Sequence, residues 1–264
     1  MNDSPKVGDL FGVAPLGRAV ERVTDSAMSG LENVLSRVCL PAAEEFGLAM
    51  RDRVSEWRRR NAAATLQLAK PMLEAAASEG RHAPPRLVMG ILDQACSAET
   101  TLVQGLWAGL LASSCTQNAD DDSNWIFINI LAQLTAMEAT LLKAACEGSP
   151  KHASKEGLIF CDKHSQTVDE LIQLTGCRDV DRLDREMDHL RVLGLIEGGF
   201  QILGGPTAYI TATALALHLY VRCQGSLASP VDYFGVRPIE AATQSTVVAE
   251  ATSPSVLPPG AATG

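Results

Sequence analysis

The chain has 264 residues, 46% hydrophobic and only 5% aromatic, which is enough for one large or two small domains with a mainly aliphatic core. A formal net charge of −9 argues against broad electrostatic capture of nucleic acid, because nonspecific affinity comes mostly from neutralising phosphates. Seven cysteines without paired spacing read as reduced thiols, and with no signal-peptide pattern or membrane-length apolar run the expected location is cytoplasmic.

Residues 1–17 contain Pro5, Gly8, Gly12, Pro15 and Gly17, too many breakers for a stable helix, and read as a flexible arm. From Arg18 to Val38, Val20, Val23, Ala27, Leu31, Val34, Leu35 and Val38 form a helical stripe interrupted by Gly30. A bundle helix fits this better than one lying on a membrane, since its polar face mixes signs. Pro41 opens the next predicted helix, with Phe46, Leu48, Met50, Val54 and Trp57 on it.

Arg51, Arg53, Arg58, Arg59 and Arg60 gather around Trp57 and are candidates for contacting phosphates or an acidic partner. Glu44, Glu45, Asp52 and Glu56 interleave with them at pairing distance along a helix, so a solvated, salt-bridged face is the plainer reading. Leu66, Leu68, Ala69, Met72 and Leu73 extend the pattern, and Pro71 is expected to kink or end the helix.

Pro84 and Pro85 start a helix through Leu87, Val88, Ile91 and Leu92. Ser97 offers a cap to the next one, in which Leu102, Val103, Leu106, Trp107, Leu110 and Leu111 share a face, while Gly105 and Gly109 would admit a neighbouring helix. This reads as the central core helix, with Trp107 a buried anchor. After the acidic run Asp120 to Asp122, Asp122 or Ser123 would cap a helix facing inward through Trp125, Ile126, Ile130, Leu131 and Leu134. Thr135 and Glu138 have capping-box spacing, opening a helix that carries Met137, Leu141, Leu142 and Ala145.

The segment 148–157 reads as a loop and Leu158 to Cys161 as a short strand. Thr167 and Glu170 form a second capping box before a helix closed by Gly176, and a further helix spans Asp179 to Leu193. Leu195-Ile196, Phe200 to Leu203 and Ala208 to Ile210 suggest a hairpin turning at Gly204-Gly205-Pro206, the only clear sheet expected, and Thr211 or Thr213 then caps a helix to Cys223. From Thr135, this order suggests a winged helix-turn-helix. Asp181, Asp184, Glu186 and Asp188 outweigh Arg182, Arg185 and Arg191 along its would-be recognition helix, which favours packing or protein contact over groove reading. Beyond Gly225 the composition is too poor in large apolar residues to offset ordering, although Val231, Tyr233 and Phe234 could tack the start of this tail to the body.

Four stretches, Pro41-Ala-Ala-Glu-Glu-Phe-Gly-Leu48, Arg53-Val-Ser-Glu-Trp-Arg-Arg-Arg-Asn61, Gly105-Leu-Trp-Ala-Gly-Leu-Leu-Ala112 and Ile130-Leu-Ala-Gln-Leu-Thr135, together resemble the abortive infection alpha family over about residues 40 to 223. The resemblance implies a helical bacterial protein linked to phage defence, with no established active site to carry over. Pro71 departs from the family pattern, since it falls where the helix should be continuous.

These readings give a mostly α fold: a flexible arm (1–17), a helical domain (18–134), a winged-helix-like domain with a small hairpin (135–223) and a disordered tail (224–264). No cofactor or metal is expected. Cys161 and His164 have the spacing of half a zinc site, with Cys177 and His189 downstream, but no second close pair completes it, and the Asp120 to Asp122 run lacks the spaced ligands of a calcium loop. No phosphate loop, zinc-protease motif or nucleophile elbow is present, so an enzyme is disfavoured. The leading expectation is a non-enzymatic phage-defence protein acting through contacts with a protein partner or another copy. A DNA-binding winged-helix regulator is the alternative and a peripheral membrane effector the third reading. The candidate surface residues are Arg51, Arg53, Trp57, Arg58, Arg59, Arg60, Arg182 and Arg185.

Overall fold

The computed structural model describes residues 30, 33–41, 44, 56–118, 120–200 and 207–237. The predicted arm, most of the 18–38 helix, Arg51, Arg53, the Gly204 to Pro206 turn and the tail from residue 238 lie outside the described residues. Among the described residues the fold is mostly helical, with two small antiparallel sheets.

Residues 33–41 are helical (α1) and bury Val34, Leu35 and Val38. Helix α2 (Glu56–Ser78) runs unbroken through Pro71, against the expected kink or stop. Pro71 cannot donate to the carbonyl of Gln67, but both residues are exposed, so water can satisfy that carbonyl. The buried face of α2, with Ala62, Leu66, Ala69, Leu73 and Ala76, continues across the proline and supplies the packing that holds the helix together.

Pro84, with extended backbone, leads into α3 (Pro85–Ala95), whose Leu87, Val88, Ile91 and Leu92 are fully buried. Helix α4 (Thr101–Ser113) is the centre of the body: every side chain from Leu106 to Ser113 is buried, including Trp107 at 2% exposure. Its cap is Thr100, which accepts from the Val103 amide, and not Ser97. Helices α2 and α3 pack against it, as do α5 (Trp125–Leu131), α6 (Ala136–Gly148) and α9 (Ala214–Cys223).

Of the two glycines expected to admit a neighbour, only Gly109 does so. A side chain there would overlap the carbonyl oxygen of Cys223 in α9, whereas one at Gly105 would meet open space.

Neither Asp122 nor Ser123 caps α5. Asn124 holds the cap position without a capping bond, and its buried amide donates instead to the Ser113 and Ser114 hydroxyls at the end of α4. Phe127 and Ile128 face inward, whereas Ile126 is 51% exposed, so the inner face is rotated from the predicted one. The capping boxes at Thr135 and Thr167 are both formed, the second opening α7 (Val168–Thr175), which Gly176 ends at φ 70°. Asp179 caps α8 (Val180–Val192) and Thr213 caps α9.

The hairpin is not the only sheet. Strand β1 (Lys151–Ala153), inside the predicted loop, pairs with β2 (Ile159–Cys161), His152 opposite Phe160. The predicted hairpin forms from β4 (Ile196–Phe200) and β5 (Thr207–Ala212), and the strand added to it is β3 (Ser165–Thr167), not Leu158 to Cys161. The order is β3-β5-β4. Ordered structure continues past α9 through α10 (Pro230–Tyr233), where Tyr233 and Phe234 pack on Tyr220 as an anchor of this kind requires.

Candidate partner-binding surface

The arginines of α2 do not form a one-sided patch. Successive residues of a helix are turned by about 100°, so Arg58, Arg59 and Arg60 spread around the axis. Arg58 and Arg60 are exposed, Arg59 is half-buried, and Trp57 is 39% exposed at the helix start. Burial pushes the Cys96 thiol up to about 11 against the opposing field of Arg58. Helix α2 packs on α3 and α4, whereas α8, which carries Arg182 and Arg185, packs on α6 and β4. The two arginine groups are therefore mounted on different elements.

Helix α8 buries Leu183, Glu186, Met187 and Leu190 along one side. Its outer side presents Asp181, Asp184, Arg185 and Asp188, flanked by exposed Val180 and by Val192 at 80% exposure. Arg182 is drawn to Glu186 (Nε to Oε1, 3.5 Å) and Arg191 to Asp188 (2.7 Å). Arg185 is left as the one cation of the helix with no carboxylate within 4 Å among the described residues. With Arg182 taken up by Glu186 and Arg191 by Asp188, Asp181 and Asp184 against Arg185 leave this face with an excess of one carboxylate, and an apolar residue lies at each end.

A buried polar cluster fixes how that face is presented. The Glu138 side chain is 1% exposed, and its two oxygens serve different partners: Oε2 accepts from the Thr135 amide at 2.7 Å and Oε1 lies 2.5 Å from His189 Nδ1. Thr135 accepts from the Glu138 amide and donates its hydroxyl to Glu186 Oε2 at 2.7 Å. The capping box that starts α6 thus also fastens α8, and no carboxylate of the cluster is buried without a partner. Sequence spacing reveals the box but not Glu186 and His189, which are 51 residues from Thr135 and Glu138 respectively.

The cysteines and histidines are dispersed. None of the seven cysteines is in a disulfide, and burial pushes Cys115 up to about 12 and Cys146 and Cys223 well above the usual thiol range. Among the residues of the possible zinc set, Cys177 donates to the Asp179 carbonyl, His189 faces Glu138, and the buried His164 Nε2 lies against α6 at Gly148. No group of three or more His, Cys, Asp or Glu is placed to hold a metal among the described residues. Asp121 accepts from the Ser123 amide in a local turn, and the hydrogen bonds from Ser123 hold its carboxyl below the usual range. No described helix is long and apolar enough to cross a membrane.

A family model described as abortive infection alpha matches residues 56–221, from the start of α2 almost to the end of α9. Neither the curated proteins nor the solved structures yield a match to the chain.

Proposed function

Since the chain belongs to the abortive infection alpha family, we propose that it is a non-enzymatic phage-defence protein that acts through protein contacts made by the outer face of α8. The observation that supports this is the composition of that face: Asp181, Asp184 and Asp188 between exposed Val180 and Val192, held in place by the cluster around Glu138. Such a surface suits a basic partner protein with apolar contacts at its ends, because charge complementarity steers association while exposed apolar residues supply contact area. Another copy of the chain could supply a partner surface in the same way. A cytoplasmic setting fits seven cysteines held as thiols and not as disulfides.

A second reading, a DNA-binding regulator, is favoured by one observation. The order α6, β1, β2, β3, α7, α8, β4 and β5, with β3 paired to β5, is similar to that of a winged helix-turn-helix with the β1-β2 pair inserted after its first helix. Against it, the unpaired carboxylates of the would-be recognition helix, Asp181 and Asp184, outnumber its one unpaired cation, Arg185, which disfavours approach to phosphates. A peripheral membrane role rests on the 18–38 helix and has no support in α8.

The decisive experiment expresses the chain in a phage-sensitive host and measures plating efficiency across a broad phage panel, beside a variant carrying Asp181→Asn, Asp184→Asn and Asp188→Asn. Protection by the wild type and its loss in the variant, at unchanged melting temperature, is the expected result. Unchanged plating for the wild type across the panel counts against the defence role. Full protection by the variant removes the α8 face. Tight, salt-dependent DNA binding that is strengthened by the same substitutions and weakened by Arg185→Ala would instead support the regulator.

A further inference from the structure

A cleft far from the α8 face in sequence joins two parts of the chain more than 80 residues apart. It is an open cavity of about 510 Å³ between β1 and the end of the described chain, lined by Lys151, His152, Phe234, Gly235, Val236 and Arg237. That volume lies in the range of small-molecule sites, about 300–1,000 Å³. In a chain of net charge −9, its lining holds two cations and a histidine but no carboxylate.

One of its cations, Lys151, is held in place by two contacts. Lys151 Nζ donates to the Ser149 carbonyl at 2.7 Å and lies 4.4 Å from the centre of the Phe234 ring. Phe234 is stacked on Tyr220, whose hydroxyl donates to Glu147 Oε1 at 2.6 Å, so the ring is fixed from behind. An ammonium has three donors, and Lys151 has no carboxylate within 4 Å among the described residues, which leaves two for another acceptor. His152 is held by stacking on Phe160, with Nδ1 3.5 Å from Asp162. Arg237, also in the lining, is exposed and without a carboxylate within 4 Å among the described residues.

We propose that this cleft binds a small phosphate-bearing anion no larger than a mononucleotide, with Lys151 and Arg237 neutralising the phosphate and His152 supplying a further contact. A phosphate carries more acceptor oxygens than a carboxylate and suits an ammonium and a guanidinium arranged around it. The polar side chains of the lining are Lys151, His152 and Arg237, and Phe234 is already engaged by Lys151 and Tyr220, so recognition falls on the phosphate. Free phosphates and phosphate esters share this chemistry, and separate probes distinguish them.

The test is calorimetric titration of the full chain with pyrophosphate, ADP and adenosine. Pyrophosphate binding is expected, with or without ADP, and adenosine should give no saturable heat. Pyrophosphate alone would restrict the occupant to free phosphates, and both together would admit esters. Lys151→Met and Arg237→Gln should each weaken anion binding about tenfold or more, as loss of one charged hydrogen-bonding partner does. Arg237→Gln, at an exposed position, should keep the wild-type melting temperature and decides the matter alone if Lys151→Met does not fold. Absence of saturable binding by pyrophosphate at millimolar concentration overturns the proposal. So does unchanged affinity in the variants, which would leave Lys151 as no more than a cap on the C-terminal end of α6.

Discussion

His164 shows how a single side chain can set a pH response without taking part in chemistry. Its Nε2 is buried without a partner, against α6 at Gly148, where an added Cβ would come within 2.6 Å. Burial, and secondarily the positive field of Lys151, holds its pKa below the ordinary value of 6.5. The folded state therefore prefers the neutral ring, while the unfolded chain takes up a proton near the ordinary value. Stability from this residue is present above about pH 6.5 and is lost as pH falls below it, the window in which the unfolded state binds more protons. The melting temperature should drop between pH 7.5 and pH 5, and His164→Gln should flatten that drop. Parallel profiles for wild type and variant would show that other groups carry the dependence.

Among the helices and strands, what was legible in the sequence was local. The capping boxes at Thr135 and Thr167, the Gly176 stop and the apolar stripe of α4 around Trp107 each need only a few neighbouring residues, and each is formed. Features that depend on distant partners were not legible. Strands β1 and β3 are three residues each, and their polar composition gives no alternating signal; only pairing with β2 and β5 makes them strands. Asn124 abandons its capping role because Ser113 and Ser114 lie beneath it. Likewise Arg182 and Arg185 were identified as exposed charges, but the tie of α8 to Glu138 was hidden by sequence distance.

The two glycines of α4 turn this distinction into a measurement, because they look equivalent in sequence and differ in surroundings. Gly105→Ala adds a methyl group into open space within a helix and should stabilise by up to about 1 kcal/mol. Gly109→Ala drives the same methyl group into the backbone of Cys223, which no rotamer change relieves, so α9 must shift away from α4. Overpacking of this kind typically costs about 1–3 kcal/mol. Chemical denaturation should move the two variants in opposite directions; equal effects would mean that α9 does not cross at Gly109.

At the scale of the whole molecule, charge and packing are unevenly distributed: an acidic outer face on α8, and an island of positive charge where β1 meets the end of the described chain. The second depends on residues beyond 223, where composition alone suggested a disordered tail. Three aromatic rings make the difference. Tyr233 and Phe234 meet edge to face at 5.0 Å between centres, and both contact Tyr220, with Val231 and Val236 also packed against the core. A chain ending at Gly225 would lose this cluster and the seat of Lys151 together, whereas one ending at Arg237 would keep both. Removing a partly buried aromatic and two valines should cost about 2 kcal/mol or more, a fall of roughly 4–8 °C in melting temperature for a protein of this size. The chain ending at Arg237 should melt with the full-length protein. Equal melting of the two truncated chains would show that the aromatic cluster adds nothing to stability and that Lys151 keeps its position without it.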